Sequence, residues 1–236
     1  MTLRLFVEHP LAEGAAFALP PGAARHAQVR RVQPGDALVL FDGAGADWPA
    51  EVTAMGRHDV QVRVGAPQAV DRELPWPVTL AVGMPANERM DWLVEKATEL
   101  GVARLQPLVC ERSVLRLAGE RAERKREHWQ AIAVAASEQS GRARVPVVEP
   151  VWPLARWLAD AAPAGRRLVL APGAAPLGPP RLDGPLCALS GPEGGLAPAE
   201  EEAARAAGFE PVGLGARILR AETAPLALLA WAGFGA

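Results

Sequence analysis

From Leu3 to about residue 70 the pattern of apolar and polar positions is strand-like, with a period of two in places. Residues 50–55 and 59–64 show it most clearly, as half-buried antiparallel strands do. Residues 37–41 form a short apolar run that stops at Asp42-Gly43-Ala44-Gly45, a strong turn signal, and Pro34-Gly35-Asp36 punctuates the chain before it. Short strands joined by tight turns predict a small β-barrel over residues 1–70. Residues 65–77, with Gly65, Pro67, Pro75 and Pro77, read as a linker.

Beyond Pro77 apolar runs alternate with stretches of helical period. Residues 78–82 form a short apolar strand. A helix is predicted from Asn87, as its cap, to Leu100, with Glu88 and Asp91 in the dipole-favoured first turn and Gly101 stopping it. Met90, Leu93, Val94, Ala97 and Leu100 share its apolar stripe. A strand at 105–109 and a long helix at about 120–140 follow. Further strands are expected at 167–171, 186–190 and 211–214, and helices at about 152–161, 198–207 and 222–231. This alternation predicts a mostly parallel sheet covered on both faces, so residues 73–236 read as one α/β domain.

The 236 residues are 50% hydrophobic and 22% charged, with a net charge of −2, which excludes a highly basic protein. Among the 25 basic residues only Lys96 and Lys125 are lysine. A guanidinium fork suits phosphate, yet Tyr is absent, Ile occurs only at Ile132 and Ile218, and Asn only at Asn87. Those scarce types have A/T-rich codons, so GC-rich coding explains most of the arginine excess. Positive charge concentrates in residues 104–144, with 9 basic and 5 acidic residues. There Glu120, Glu123 and Glu127 interleave with Arg121, Arg124, Lys125 and Arg126, which favours a solvated helix face over a phosphate surface. No membrane span or secretory signal core is present, so a cytoplasmic protein is expected. Cys110 and Cys187 read as buried thiols, and His9, His26, His58 and His128 make no metal-binding pair, so no metal is expected.

Two glycine loops carry the strongest chemical signal. Ser190-Gly191-Pro192-Glu193-Gly194-Gly195-Leu196 follows an apolar strand and precedes a helix. Glycines there let the backbone turn tightly and approach a ligand closely. Leu214-Gly215-Ala216-Arg217-Ile218-Leu219-Arg220-Ala221-Glu222-Thr223 repeats the arrangement, with Thr223 as a candidate helix cap. Two such loops at the carboxyl ends of strands predict a ligand cleft, with Arg217, Arg220 and Glu222 at its mouth. Neither loop is GxGxxG or a phosphate-binding GK[ST] loop, which argues against a dinucleotide-dependent oxidoreductase.

Together these loops resemble the C-terminal signature of RsmE-type ribosomal RNA methyltransferases of the SPOUT superfamily. The resemblance extends to the segment from Met90 to Gly101, to Glu111-Arg112-Ser113 and to Glu138-Gln139-Ser140-Gly141-Arg142. Arg25-His26 with Arg30, and Phe41-Asp42-Gly43, resemble the family's PUA-like N-terminal barrel. Ala197, where the family often has Ser, forgoes a helix cap worth ~1 kcal/mol, and Pro225 is unusual in its place.

The resemblance implies an α/β domain tied in a deep trefoil knot, against the rule that chains are unknotted. It implies S-adenosylmethionine held mainly by backbone at Leu170, Ala171, Pro172, Ser190, Gly191, Pro192, Glu193, Gly194, Gly195, Leu214, Gly215, Ile218 and Leu219. The implied activity is methylation of N3 of a uridine in the decoding region of 16S ribosomal RNA. Arg220 would stabilise negative charge on the uracil, and Glu222 or water would take the proton. Arg25, Arg30, Arg31, Arg112, Arg142 and Arg217 are the candidate RNA contacts. The resemblance also implies a homodimer, for which Leu226, Leu228, Leu229 and Trp231 supply candidate interface surface, although core packing explains them equally well. The alternatives are another ribosomal or transfer RNA nucleotide as target, or an RNA-binding protein without catalysis.

Overall fold

The computed structural model describes residues 2–57, 59–86, 88–160 and 165–234. Asn87, the expected helix cap, and His58 lie outside them. The chain divides into two compact units, one of residues 1–72 with Ser137–Val145, the other of Glu73–Ala136 with Pro146–Ala236.

The first unit contains β1 (Leu3–Phe6), β2 (Ala16–Ala18), α1 (Pro21–Val29), β3 (Ala37–Phe41), β4 (Ala46–Met55), β5 (Val60–Val64) and β6 (Gln68–Ala69). They form one sheet in the order β1-β3-β4-β5-β2, with β6 also paired to β4. The β3–β4 and β4–β5 pairings are antiparallel, while β1–β3 is parallel, which the alternating pattern did not distinguish. In β5, Val60, Val62 and Val64 are buried and Arg63 points out, as period two requires. A bulge between Val52 and Ala54 shifts the β4–β5 register. The presumed linker thus contributes a strand, because residues 68–69 pair with Ala46 and Asp47. Ala23, Ala24 and Ala27 bury one face of α1 against Leu5, Leu40 and Val62 in a single core.

The second unit contains β7 (Val78–Gly83), α2 (Glu88–Glu99), β8 (Arg104–Val109), α3 (Gly119–Ser140), β9 (Val147–Val148), β10 (Trp152–Pro153), α4 (Leu154–Asp160), β11 (Arg166–Leu170), β12 (Leu186–Ser190), α5 (Pro198–Ala206), β13 (Glu210–Val212) and α6 (Thr223–Gly233). The last four residues of α3 belong to the first unit. The sheet order is β10-β8-β7-β12-β11-β13, all parallel, with β9 also beside β8. Every residue of β7 and β12 is buried, as expected of central strands covered on both faces. In α2, Met90, Leu93, Val94 and Ala97 bury the expected stripe. Gly101, at φ +91°, ends the helix and turns Leu100 outward.

Three local expectations change. Thr223 is the first residue of α6 rather than its cap, a place taken by Glu222 without a side-chain capping bond. Ala197 caps α5 with no acceptor of its own, but Glu200 Oε2 accepts its N–H at 2.9 Å, so half of a capping box survives. Pro225 lies in the first turn of α6, where an N–H has no helical partner to lose.

Candidate functional site

At the carboxyl ends of β11, β12 and β13 a cleft of about 610 Å³ opens. Leu170 to Pro172, Ser190 to Gly195, Leu214, Gly215, Ile218 and Leu219 all line it, with Arg217 and Arg220. Sequence positions more than forty apart are thus collected by three adjacent parallel strands that end at the same level.

The glycines are required by close backbone approach. A methyl group on Gly191 would sit 2.7 Å from the amide nitrogen of Leu196, and one on Gly213 would sit 2.5 Å from the carbonyl oxygen of Ala174. Gly195 and Gly215 hold φ at +70° and +100°. Ser190, 4% exposed at the end of β12, keeps a buried Oγ with no hydrogen-bond partner. Such a hydroxyl costs stability unless something polar meets it. A cleft of this size, lined by glycines, apolar residues and Ser190, fits a drug-sized molecule.

Side chains fasten the first loop. Glu193 Oε1 accepts the Ala86 N–H at 2.9 Å and Arg89 Nη1 at 3.2 Å, tying the loop to the start of α2. Arg89 Nε also lies 4.0 Å from Glu222 Oε1. Glu222 is 7% exposed, and its Oε2 has no partner. A second cavity, about 430 Å³ and bounded by Glu88, Arg89, Trp92, Arg220, Glu222 and Thr223, shares Arg89 and Arg220 with the first. Arg89 and Trp92 were not singled out by sequence. Their signal was a polar residue and a large aromatic placed off the apolar stripe of α2.

The arginines sort by surroundings. Arg25 is exposed on α1, Arg30 caps that helix, and Arg31 follows at φ 57°, so the three do not share one helical face. Arg217 is exposed at the cleft. One expected RNA contact is corrected. Arg142 is 3% exposed, too buried to meet RNA. Arg112 is exposed, and its Nη1 donates to the carbonyls of Gly194 at 3.0 Å and Leu196 at 3.3 Å, which supports the loop. On α3, Arg124 pairs with Glu120 at 3.6 Å and Arg126 with Glu123, so this face is laced by its own ion pairs. Leu226, Leu228 and Leu229 are buried within the chain, and Trp231 Nε1 donates to the Gly178 carbonyl at 2.9 Å, so these serve packing rather than an open interface. Burial pushes the thiols of Cys110 and Cys187 up to about 12, which leaves neither as a nucleophile. Among the described residues no cluster of His, Cys, Asp or Glu is arranged to hold a metal. No helix described is long and apolar enough to cross a membrane.

Comparison with known proteins gives a consistent picture. Residues 72–233 match the RNA methyltransferase domain family, and residues 19–65 match the RNA methyltransferase PUA domain. The ribosomal RNA small subunit methyltransferase E of Bacillus subtilis is 31% identical over 94% of this chain and 93% of its own length. The protein of the same name from Synechocystis is 34% identical over 86% of this chain and 67% of its own. A crystal structure of the Neisseria gonorrhoeae enzyme, bound to S-adenosyl methionine, superposes with a TM-score of 0.91 at 36% identity, covering 98% of this chain and 96% of that one. A putative methyltransferase from Legionella pneumophila, in complex with the same cofactor, gives 0.90 at 31% identity over 97% and 96%.

Proposed function

The chain belongs to the ribosomal RNA small subunit methyltransferase E family, and on that premise we propose that it transfers a methyl group from S-adenosylmethionine to N3 of a uridine in the decoding region of 16S ribosomal RNA. The observation that carries this reading is the cleft itself. Two glycine loops and Ser190 line one space, in a chain similar to proteins crystallised with that cofactor.

S-adenosylmethionine, when bound, supplies an electrophilic methyl group. The residues of Leu170 to Pro172, Ser190 to Gly195, Leu214, Gly215, Ile218 and Leu219 would hold it through backbone groups, which is why glycines and plain apolar side chains dominate there. Uridine N3 is a poor nucleophile while it keeps its proton. Glu222 accepts that proton through Oε2, its unpaired oxygen. Arg220, lining both cavities, stabilises the negative charge that spreads to the uracil carbonyls. Holding the base in line with the methyl group contributes more than the charge term.

The finer fold belongs to the same reading. A trefoil knot is supported by the strand order, since β12 enters between β7 and β11, and by the tight passage of Gly213 past Ala174 to Leu177. A closed PUA-like barrel in residues 1–70 is supported by the continuous pairing path of five strands around one core. The exposed Arg25, Arg30 and Arg31 of that unit bind RNA phosphates, as does Arg217. A cytoplasmic homodimer completes the reading, with Leu100 and Phe234, 37% and 84% exposed, as apolar surface for the second copy.

The test incubates the protein and methyl-labelled cofactor with small ribosomal subunits, free 16S RNA and large subunits. Primer extension then locates the modified base. Label at one uridine of the small subunit is expected; label confined to large subunits, or none, overturns the proposal.

A further inference from the structure

We infer that the second cavity is the pocket for the acceptor base, in which the Trp92 indole stacks on a uracil whose edge is read by Arg89, Glu222 and Arg220. The inference rests on the methyl-transfer reading above and adds to it the residue that carries the base. Trp92 is a large aromatic left 45% exposed on a helix whose Met90, Leu93 and Val94 are fully buried. It lies three residues after Arg89 and four after Glu88, so all three share one side of α2 and border the same cavity. A planar ring at the wall of a pocket is the feature with which proteins hold an unstacked base.

The polar groups around that wall match one base edge. Uracil presents O2, N3–H and O4, in hydrogen-bonding terms acceptor, donor, acceptor. The cavity offers guanidinium donors from Arg89 and Arg220 and, beside the exposed Glu88 and the Thr223 hydroxyl, one buried carboxylate, that of Glu222. Glu222 is 7% exposed, and among the described residues no donor meets Oε2, an oxygen closed to solvent. An N3–H of the bound base meets this carboxylate. Cytosine places a lone pair at N3 and an amino group at position 4, which would set acceptor against acceptor at Glu222 and donor against donor at one arginine. Arg89 and Arg220 also border the cofactor cleft, so a base held here lies beside it.

Trp92→Ala and Trp92→Phe separate this role from others. With small ribosomal subunits as substrate, Trp92→Ala should lower kcat/KM roughly 10- to 100-fold, the usual range for one lost base stack, while Trp92→Phe stays within about threefold of the parent. The Kd for S-adenosylmethionine, measured by calorimetry, and the sedimentation coefficient should not move in either variant. Unchanged kcat/KM in Trp92→Ala overturns the inference and leaves the methyl-transfer reading standing. A lowered sedimentation coefficient also overturns it, because Trp92 is then a contact between copies. Photocrosslinking of 4-thiouridine-substituted 16S RNA to the unmodified protein, with the peptide mapped by mass spectrometry, reads the contact without turnover. A crosslink at Trp92 is expected, and crosslinks confined to other segments overturn the assignment even if no methyl transfer is seen.

Discussion

Asp47 in the first unit and Glu222 in the second are buried to nearly the same degree, 8% and 7% exposed. Arg4 grips Asp47 with both terminal nitrogens, at 2.6 and 2.8 Å, and Arg72 stands 3.6 Å away. The Arg4 guanidinium also lies 5.1 Å from the centre of the Phe41 ring and donates to the Arg142 carbonyl. Around Glu222, Arg89 approaches to 4.0 Å, and one oxygen is left without a partner among the described residues. A buried carboxylate with both oxygens met holds a fold together; one with an oxygen unmet is kept for a ligand. The contrast distinguishes structural from chemical charge more sharply than burial does.

The largest effect should come from Glu222→Gln. The substitution keeps size and removes the proton acceptor, so kcat should fall by roughly 10²- to 10⁴-fold. Thermal stability should hold within about 2 °C, since no paired ion is broken on the bare side. A variant that loses its melting temperature but keeps turnover would make Glu222 a second Asp47 and break the comparison.

Asp47→Ala should do the reverse. It strands Arg4, whose side chain is 9% exposed, and should cost ~3–5 kcal/mol in urea unfolding. Cofactor binding measured under native conditions should survive, because the cleft is lined by the second unit alone. A loss below ~1 kcal/mol would mean that Arg4 finds water when its partner is removed.

Much of the second unit was legible because its signals are local. The stripe of α2, the buried runs of β7 and β12 and the two glycine loops each lie within a dozen residues. What brings them together is not local. Glu193 meets Arg89 across 104 positions, and Phe6 meets Glu138 across 132. The segment Glu138-Gln139-Ser140-Gly141-Arg142 therefore looked like part of the α/β domain and a source of RNA contacts. It packs instead in the first unit, where Gly141, at φ +82°, ends α3 and its carbonyl accepts Arg72. The α6 segment stayed open for a different reason. It is apolar on nearly every side, and such a helix reads equally as core or as interface until its neighbours are known.

A smaller effect tests the backbone cradle. In Gly191→Ala the added methyl would press on the Leu196 amide, and backbone cannot swing aside as a long side chain can. Overpacking of this kind costs ~1–3 kcal/mol, so cofactor Kd measured by calorimetry should rise roughly 5- to 150-fold. Unaltered affinity would show that the loop opens on binding.

The smallest effect concerns Glu138, a carboxylate whose side chain is 13% exposed and an intermediate case. Its Oε1 accepts the Phe6 N–H at 2.9 Å and its Oε2 lies 3.2 Å from His26 Nδ1, so both oxygens are met. Burial nevertheless lifts its carboxyl above the ordinary range, and the Phe6 N–H, His26 and Arg4 pull back only part of that shift. A carboxyl raised in the folded state binds its proton more tightly there than in the unfolded chain. Stability from this group is therefore greatest below the unfolded value near 4.5 and declines as pH rises through the raised folded value. This is opposite in sign to an ion-paired carboxylate held low. Glu138→Gln keeps an acceptor for Phe6 and removes the titration. Urea midpoints taken from pH 4 to pH 7 should fall in the parent relative to the variant over that window. A parent that gains stability with pH relative to Glu138→Gln would show that the His26 and Arg4 charges outweigh burial, and would place Glu138 with Asp47.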